Sequence, residues 1–156
     1  VLKPFGCRLT GVKRESIAPP DYFETGDRLV TAGELMAVLP ETDHLVIVLP
    51  GTAETGGLFT REHFGQLPRH CLLYNLGRGN VIREADLVHA LRKKQIAGAY
   101  LDVFETEPLP ESSELWDMEN VLIQPHLSAA SPHYLDLFVD ELIPRLLGAG
   151  PISLRR

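Results

Sequence analysis

The chain has 156 residues, 44% of them hydrophobic, which is enough for one domain with a sizeable core and unlike a disordered or fibrous composition. Its net charge of -6 argues against nucleic acid as the main partner, because phosphate backbones demand clustered lysine and arginine. No apolar stretch approaches the roughly 20 residues that span a bilayer. Cys7 and Cys71 lie in apolar runs, which favours buried thiols in a reducing compartment, the cytoplasm, over a disulfide.

Short apolar runs alternate with amphipathic segments along the chain, and runs of this length predict buried strands. The candidate strands are residues 8–12, 28–30, 45–49, 71–75, 97–101 and 121–123. Strands that alternate with helices indicate a parallel sheet, so the predicted fold class is α/β.

Helix start signals lie between these strands. Thr31 and Glu34 match a capping box before the apolar run at 35–39, and Thr60 is placed to cap a short helix that ends before Pro68. A further helix over about 84–94 carries acidic residues in its first turn and basic residues in its last, which suits the helix dipole.

The C-terminal part predicts one more helix. Ser131 is placed to cap it, Pro132 suits the first helical position, Pro144 should bend it, and Gly148 with Pro151 should end it. Its apolar face would comprise Leu135, Phe138, Val139, Leu142, Ile143 and Leu146. Residues 108–120 predict a loop that Trp116 anchors.

Four motifs follow the C-terminal ends of candidate strands, which is the edge where open α/β sheets bind ligands. They are LPGTAET at 49–55, NLGRG at 75–79, LDVFETEPL at 101–109 and NVLIQPH at 120–126. With these four motifs in this order, the chain resembles the D-isomer-specific 2-hydroxyacid dehydrogenases. The resemblance extends from about Leu2 to Leu147.

The resemblance implies a Rossmann-like doubly wound parallel sheet that lacks its first strand and glycine-rich loop. No Gly-x-Gly-x-x-Gly turn occurs, because Ile82 takes the third glycine position after Gly77 and Gly79. Residues 1–147 would form a partial dinucleotide-binding domain and 148–156 a tail, without a substrate domain. In the strand order 3-2-1-4-5-6 the strands beside the missing one would have unpaired edges, so we expect the isolated chain to be poorly stable and inactive.

The resemblance also implies that Arg78, Glu107 and His126 are catalytic, in an oxidoreductase that moves a hydride between NAD(P)H and a 2-keto or D-2-hydroxy acid. A guanidinium can hold the substrate carboxylate and polarise the ketone, which suits Arg78. Imidazole exchanges protons near neutral pH, which suits His126 as the acid/base. A carboxylate beside that ring, Glu107, would favour its protonated form.

The same resemblance assigns the coenzyme contacts. Pro50 and Thr52 would line the adenosine and ribose region, the backbone of Leu76 and Gly77 would approach the nicotinamide ribose, Asp102 would accept the carboxamide, and Ser128 would also bind the coenzyme.

The second strand of such folds normally ends near an acid that binds the ribose hydroxyls of NAD. Here Lys13 and Arg14 follow that strand, with no acid before Glu15. Two cations favour a 2'-phosphate and therefore NADP over NAD. A solvated basic turn is the alternative interpretation.

Other interpretations stay open. A strand-end arginine, aspartate or histidine is often only a surface residue, and a metal site from His126, His133 and a cysteine lacks ligand-like spacing, so no metal is predicted. A second function class is a dinucleotide-sensing binding protein similar to the C-terminal-binding corepressors, and a third is an inactive remnant. The family's usual homodimer is carried over as an expectation.

Overall fold

The computed structural model describes residues 2–146, apart from the side chains of residues 137, 141 and 144–146. The chain divides into two compact units, Val1–Pro125 and His126–Arg156. The predicted tail at 148–156 and the helix end at Gly148 and Pro151 lie outside the described residues. None of the helices in the described part is both long and apolar enough to cross a membrane.

The first unit contains all six predicted strands, and their ends differ from the predicted bounds by two residues at most and in most cases by one or none. They are β1 (Thr10–Lys13), β2 (Arg28–Thr31), β3 (His44–Ile47), β4 (Leu72–Asn75), β5 (Gly98–Leu101) and β6 (Val121–Ile123). Every observed strand pair is parallel. The α/β prediction is therefore confirmed.

The strands form two sheets, one with the order β1-β2 and the other with the order β3-β4-β5-β6. Within the described residues β1 pairs with β2 alone and β3 with β4 alone. The break between the sheets falls where the predicted strand order places the first strand, between the second and the fourth.

Both predicted capping boxes are present. Thr31 and Glu34 start a 3-10 turn, Ala32–Glu34, which leads into α1 (Leu35–Val38). Thr60 starts α2 (Arg61–Gln66), with His63 in the place that Glu or Gln usually fills. The third helix, α3 (Glu84–Arg92), has Glu84 and Asp86 in its first turn, as predicted. The remaining 3-10 turns that the described chain contains are Lys3–Phe5, Leu39–Glu41, Gly79–Val81 and Glu114–Asp117.

The core lies on one face of the four-stranded sheet. Leu73 and Leu101 from the strands pack in one cluster with Phe64 of α2 and with Leu87 and Leu91 of α3. The opposite face carries a row that the register aligns across the sheet, Val46, Tyr74, Tyr100 and Leu122. Val46 and Leu122 in that row are exposed.

Cys71 and Cys7 are both free, as predicted, but they differ in burial. The thiol of Cys71 is fully buried, and burial raises its pKa to about 11. The neutral thiol therefore persists at neutral pH, which makes this cysteine a core residue. Cys7 is only partly buried and follows the first 3-10 turn.

Two details of the prediction were wrong. In the second unit α4 spans Tyr134–Leu146, so it begins two residues after Pro132. Ser131 instead closes a local turn, in which its Oγ accepts from the His133 N–H at 3.2 Å and its carbonyl from the Tyr134 N–H at 3.1 Å. The loop 108–120 is anchored by Leu115, which is buried, whereas Trp116 is half exposed and donates to the Pro110 carbonyl.

Candidate functional site

The C-terminal ends of β3 to β6 lie side by side at one edge of the four-stranded sheet. One main-chain hydrogen bond joins each neighbouring pair at that edge: Leu76 N to Ile47 O at 2.9 Å, Asp102 N to Asn75 O at 3.1 Å, and Gln124 N to Leu101 O at 2.9 Å. The loops that carry the four motifs therefore leave the sheet at the same edge, which we call the carboxyl edge.

Arg78 lies in the loop that follows β4. Its side chain is exposed, and its backbone is extended just before the 3-10 turn Gly79–Val81. Its Nη1 donates to the Gly77 carbonyl at 2.7 Å. A guanidinium has five N–H donors, so this one bond leaves further donors for a ligand.

Glycine is required on both sides of Arg78. A Cβ on Gly77 would lie 2.5 Å from the Leu49 carbonyl oxygen, and a Cβ on Gly79 would collide with the Phe104 carbonyl. Both obstacles are backbone atoms, which cannot move aside as the end of a side chain can. The Arg78 loop therefore rests directly on the loop after β3 and on the loop after β5.

The loop after β5 carries the predicted acidic residues. Asp102 is buried, with 1% of its surface exposed, whereas Glu107 is exposed and its Oε1 accepts from the Phe104 N–H at 3.0 Å. Between them, Glu105 accepts the Glu84 N–H at 3.2 Å and so caps the start of α3. The contact of Gly79 with Phe104 brings the Arg78 and Glu107 loops together.

The predicted coenzyme residues of the first half follow the ends of β1 and β3. Lys13 ends β1, and the exposed Arg14 follows it and faces Glu15 at 3.8 Å. In the loop after β3, the Thr52 N–H donates to Thr55 Oγ1 at 2.8 Å. A hydrogen bond from Thr52 lowers the pKa of Glu54, with a smaller contribution from the positive charge of Arg14.

The loop after β3 is compact. Thr55 Oγ1 donates to the Pro50 carbonyl at 2.5 Å, so Pro50 and Thr52 belong to one turn. The end of β1 thus offers the positive charge of Lys13 and Arg14, and the loop after β3 offers hydroxyl groups.

His126 and Ser128 begin the second unit. His126 is exposed and has a positive φ of 58°, which is uncommon for a residue other than glycine. The Leu127 carbonyl accepts from the Ala130 N–H at 2.8 Å, which closes a turn around Ser128. The convergence of His126 with Arg78 and Glu107 remains a prediction.

Sequence reasoning gave no role to Asn75, although it belongs to the NLGRG motif. It is 1% exposed, and its side chain bonds both to Gly77 and to Arg78. An amide at the end of an otherwise apolar strand was the available signal, because buried polar groups need partners.

No group of three or more His, Cys, Asp and Glu side chains lies where it could hold a metal ion, among the residues that the structure describes. The polar side chains at the carboxyl edge include an arginine, acids, an amide and hydroxyls. Such donors and acceptors suit an organic ligand with phosphate, ribose and carboxylate groups.

Parallel strands that alternate with helices, with polar motifs at the carboxyl edge, define the class of protein. It is a dinucleotide-binding α/β domain. The family model of the D-isomer specific 2-hydroxyacid dehydrogenase, NAD binding domain, matches residues 1–128. The chain belongs to the D-isomer specific 2-hydroxyacid dehydrogenase family.

Among curated relatives, a glyoxylate/hydroxypyruvate reductase A of Salmonella heidelberg is 44% identical over 121 residues, which are 77% of this chain and 39% of that protein. The chain therefore spans about two fifths of the length of the curated relatives it matches.

Solved structures of 2-hydroxyacid dehydrogenases also match this chain. A probable 2-hydroxyacid dehydrogenase from Rhizobium etli, in complex with NADP, matches with a TM-score of 0.82 and 37% identity over 97% of this chain and 48% of its own. An NADPH-dependent glyoxylate/hydroxypyruvate reductase from Sinorhizobium meliloti, in complex with NADP and sulfate, matches with a TM-score of 0.81 and 36% identity over 97% and 48%.

Proposed function

We propose that this chain is the coenzyme-binding part of an NADP(H)-dependent reductase that acts on 2-keto acids of the glyoxylate and hydroxypyruvate kind. The observation that carries the proposal is the backbone contact of Gly79 with Phe104, which brings the Arg78 loop against the Glu107 loop at the carboxyl edge. The names of the relatives support the substrate class.

Arg78 would bind the substrate. Its guanidinium is exposed, and its planar fork of donors can bind a carboxylate in a bidentate manner while one N–H polarises the ketone. Polarisation lowers the cost of the negative charge that develops on the ketone oxygen in the transition state.

His126 and Glu107 would handle the proton. When bound, the coenzyme would supply the hydride for the keto carbon. The imidazolium of His126 would give its proton to the carbonyl oxygen, so that the 2-keto acid becomes the 2-hydroxy acid. Glu107 would stabilise the charged ring and orient it. In the reverse direction the neutral imidazole would accept the hydroxyl proton.

The residues at the carboxyl edge fit a dinucleotide. Asp102 would accept the carboxamide, Leu76 and Gly77 would lie near the nicotinamide ribose, Pro50 and Thr52 near the adenosine, and Ser128 beside the coenzyme. Lys13 and Arg14 would pair with the 2'-phosphate of NADP, because phosphate favours clustered cations.

Three variants of the full-length protein test the catalytic roles. We expect Arg78→Gln to lower kcat/KM with glyoxylate by about 10²-fold and His126→Asn to lower it by about 10³-fold. Glu107→Gln should lower kcat by a smaller factor, because the ring loses its partner. His133→Asn and Arg61→Gln are the matched controls, since both replaced side chains are exposed and outside the proposed site. Wild-type rates in Arg78→Gln or His126→Asn would refute the proposal.

A second experiment tests the coenzyme preference. Arg14→Gln should raise KM for NADPH by about tenfold, the value of one charge-assisted hydrogen bond, and leave KM for NADH unchanged. Arg28→Gln is the control, because Arg28 begins β2 at the opposite end of the same sheet and pairs with Glu41. A preference of the wild-type protein for NADH would contradict the assignment.

We further propose that residues 1–147 supply only part of the dinucleotide-binding domain and that the protein acts as a homodimer in the cytoplasm. The share of the relatives' length that the chain covers supports the first point, and the two free cysteines support the compartment. Robust reduction of hydroxypyruvate by the isolated 156 residues, or a monomer mass by light scattering of the full-length protein, would refute these points.

A further inference from the structure

The side chain of Asn75 ends β4 inside the core and uses both halves of its amide. Its Oδ1 accepts from the Gly77 N–H at 3.3 Å, and its Nδ2 donates to the Arg78 carbonyl at 3.1 Å. Only 1% of the residue is exposed, so water does not compete for these groups.

The two bonds from Asn75 and one bond from the Arg78 side chain all act on residues Gly77 and Arg78. The guanidinium donates to the Gly77 carbonyl, while the Gly77 N–H and the Arg78 carbonyl are both held by Asn75. The backbone at both ends of the Gly77–Arg78 peptide is thus fixed to the end of β4, and the origin of the arginine side chain is fixed with it.

Asn75 also joins the loop to the neighbouring strand. Its main-chain carbonyl accepts from the Asp102 N–H at 3.1 Å, at the end of β5. One residue therefore connects the arginine loop, the strand that carries it and the strand that leads to Glu107.

We infer that Asn75 is a positioning residue, which holds Arg78 at the carboxyl edge in the orientation that binds the substrate carboxylate. The inference rests on the proposed function, because it gives Arg78 a substrate to bind. Asn75 itself touches neither substrate nor coenzyme in this assignment and acts through Arg78.

The sharpest variant is Asn75→Asp in the full-length protein. The carboxylate keeps an acceptor for the Gly77 N–H, loses the donor to the Arg78 carbonyl and places a negative charge beside that carbonyl. Since an unsatisfied buried group lowers an equilibrium by about tenfold to a hundredfold, we expect kcat/KM for glyoxylate to fall by about tenfold or more.

Asn120→Asp is the matched control. The Asn120 side chain also donates from Nδ2 to a main-chain carbonyl, that of Ala97 at 3.3 Å, but it precedes β6 at the opposite edge of the sheet. The same chemical change there should leave kcat/KM unchanged.

A double-mutant cycle with Arg78→Gln separates positioning from general loss of structure. If Asn75 acts through Arg78, Asn75→Asp lowers kcat/KM in the wild-type background and causes no further loss in the Arg78→Gln background. Equal losses in both backgrounds, or a loss no larger than that of Asn120→Asp, would overturn the inference.

These variants also distinguish a failure of this inference from a failure of the proposed function. An unchanged rate in Arg78→Gln alone would refute the proposed function, whereas a loss in Arg78→Gln with none in Asn75→Asp would refute only the role of Asn75. If Asn75→Asp does not fold, Asn75→Ser carries the same cycle, because its short neutral side chain adds no charge to the core.

Discussion

The two sheets of the first unit are built from the same kind of apolar run but differ in burial. The four-stranded sheet contains the buried residues Ile47, Leu73 and Leu101, which pack against α2 and α3. No residue of β1 or β2 is fully buried. Parallel strands are normally covered by helices. We therefore expect the four-stranded sheet, whose core face packs against α2 and α3, to be the more stable of the two.

In the two-stranded sheet Val30 packs against the core, and polar contacts are added at the start of β2. The side chain of Asp27 is 1% exposed and accepts from Lys3 Nζ at 2.8 Å, from the Leu9 N–H at 2.8 Å and from the Glu24 N–H at 2.9 Å. Arg28 of β2 pairs with Glu41 at 2.9 Å. The proposed catalytic loops of the first unit thus leave a sheet with fully buried residues, whereas the proposed phosphate-binding cations leave a sheet that is only partly buried.

The largest effect should come from the core. Leu73→Ala should lower the free energy of unfolding by about 3 kcal/mol, because it removes a fully buried side chain and leaves a cavity. Leu29→Ala, the same change on the half-buried β2, should cost about 1 kcal/mol. Urea denaturation followed by circular dichroism measures both, and equal losses would contradict the comparison of the two sheets.

Gly79→Ala should lower the free energy of unfolding by about 2 to 3 kcal/mol, slightly less than Leu73→Ala, because the new methyl group must displace the Phe104 backbone. Gly65→Ala in α2 is the control. Nothing lies within 4 Å of the added Cβ there, so this variant should be more stable by about 0.5 kcal/mol. The same urea titration tests both, and a neutral Gly79→Ala would disprove the close approach of the two loops.

The Asp27 cluster should give the two-stranded sheet a distinct response to acid. Hydrogen bonding from Lys3, then from the backbone of Glu24 and Leu9, lowers the pKa of Asp27 from 3.8 to about 2. Because the folded-state pKa is the lower one, the stabilisation is complete above about pH 4 and is lost as the pH falls towards 2.

Asp27→Asn should therefore flatten the fall in the urea midpoint between pH 4 and pH 2. Asp21→Asn, an exposed aspartate before the same turn, is the control and should leave the slope as in the wild type. An unchanged slope in Asp27→Asn would show that other carboxylates cause the acid sensitivity.

The smallest expected effect concerns the capping box at the end of β2. Thr31→Ala removes the hydroxyl that contacts Glu34 at 2.7 Å and should cost about 1 kcal/mol. Thr25→Ala, in the exposed turn before β2, should be neutral. Thermal unfolding would detect the difference as a lower Tm in Thr31→Ala alone.

The strands were predictable because each is an apolar run between turn residues, and the capping boxes because their partners are three residues apart. The start of β1 could not be predicted, because the Leu9 N–H donates to the carboxylate of Asp27, which lies 18 residues away in the sequence. Leu115 in place of Trp116 as the loop anchor also depends on tertiary contacts that a local pattern does not contain, whereas His63 is a local capping partner of a residue type that the usual motif lacks.

The candidate site divides in the same way. The motifs predicted Arg78, Asp102 and Glu107 beyond the C-terminal ends of strands, and the structure has them in the loops after β4 and β5. Their roles stay predictions. The hydrogen bonds from the Asn75 side chain to the Arg78 loop were not predicted, because the sequence of a strand-end asparagine is the same whether its side chain faces solvent or the core. Burial decides its role, and burial is a property of the whole fold.

The contact between Gly79 and the Phe104 carbonyl has a consequence for how the sequence of this domain can vary. Two main chains that touch leave no room for a side chain between them, so position 79 is restricted to glycine unless one loop moves. Sequence variation is then expected in the side chains that surround this pair of loops, while the spacing of the pair stays constant.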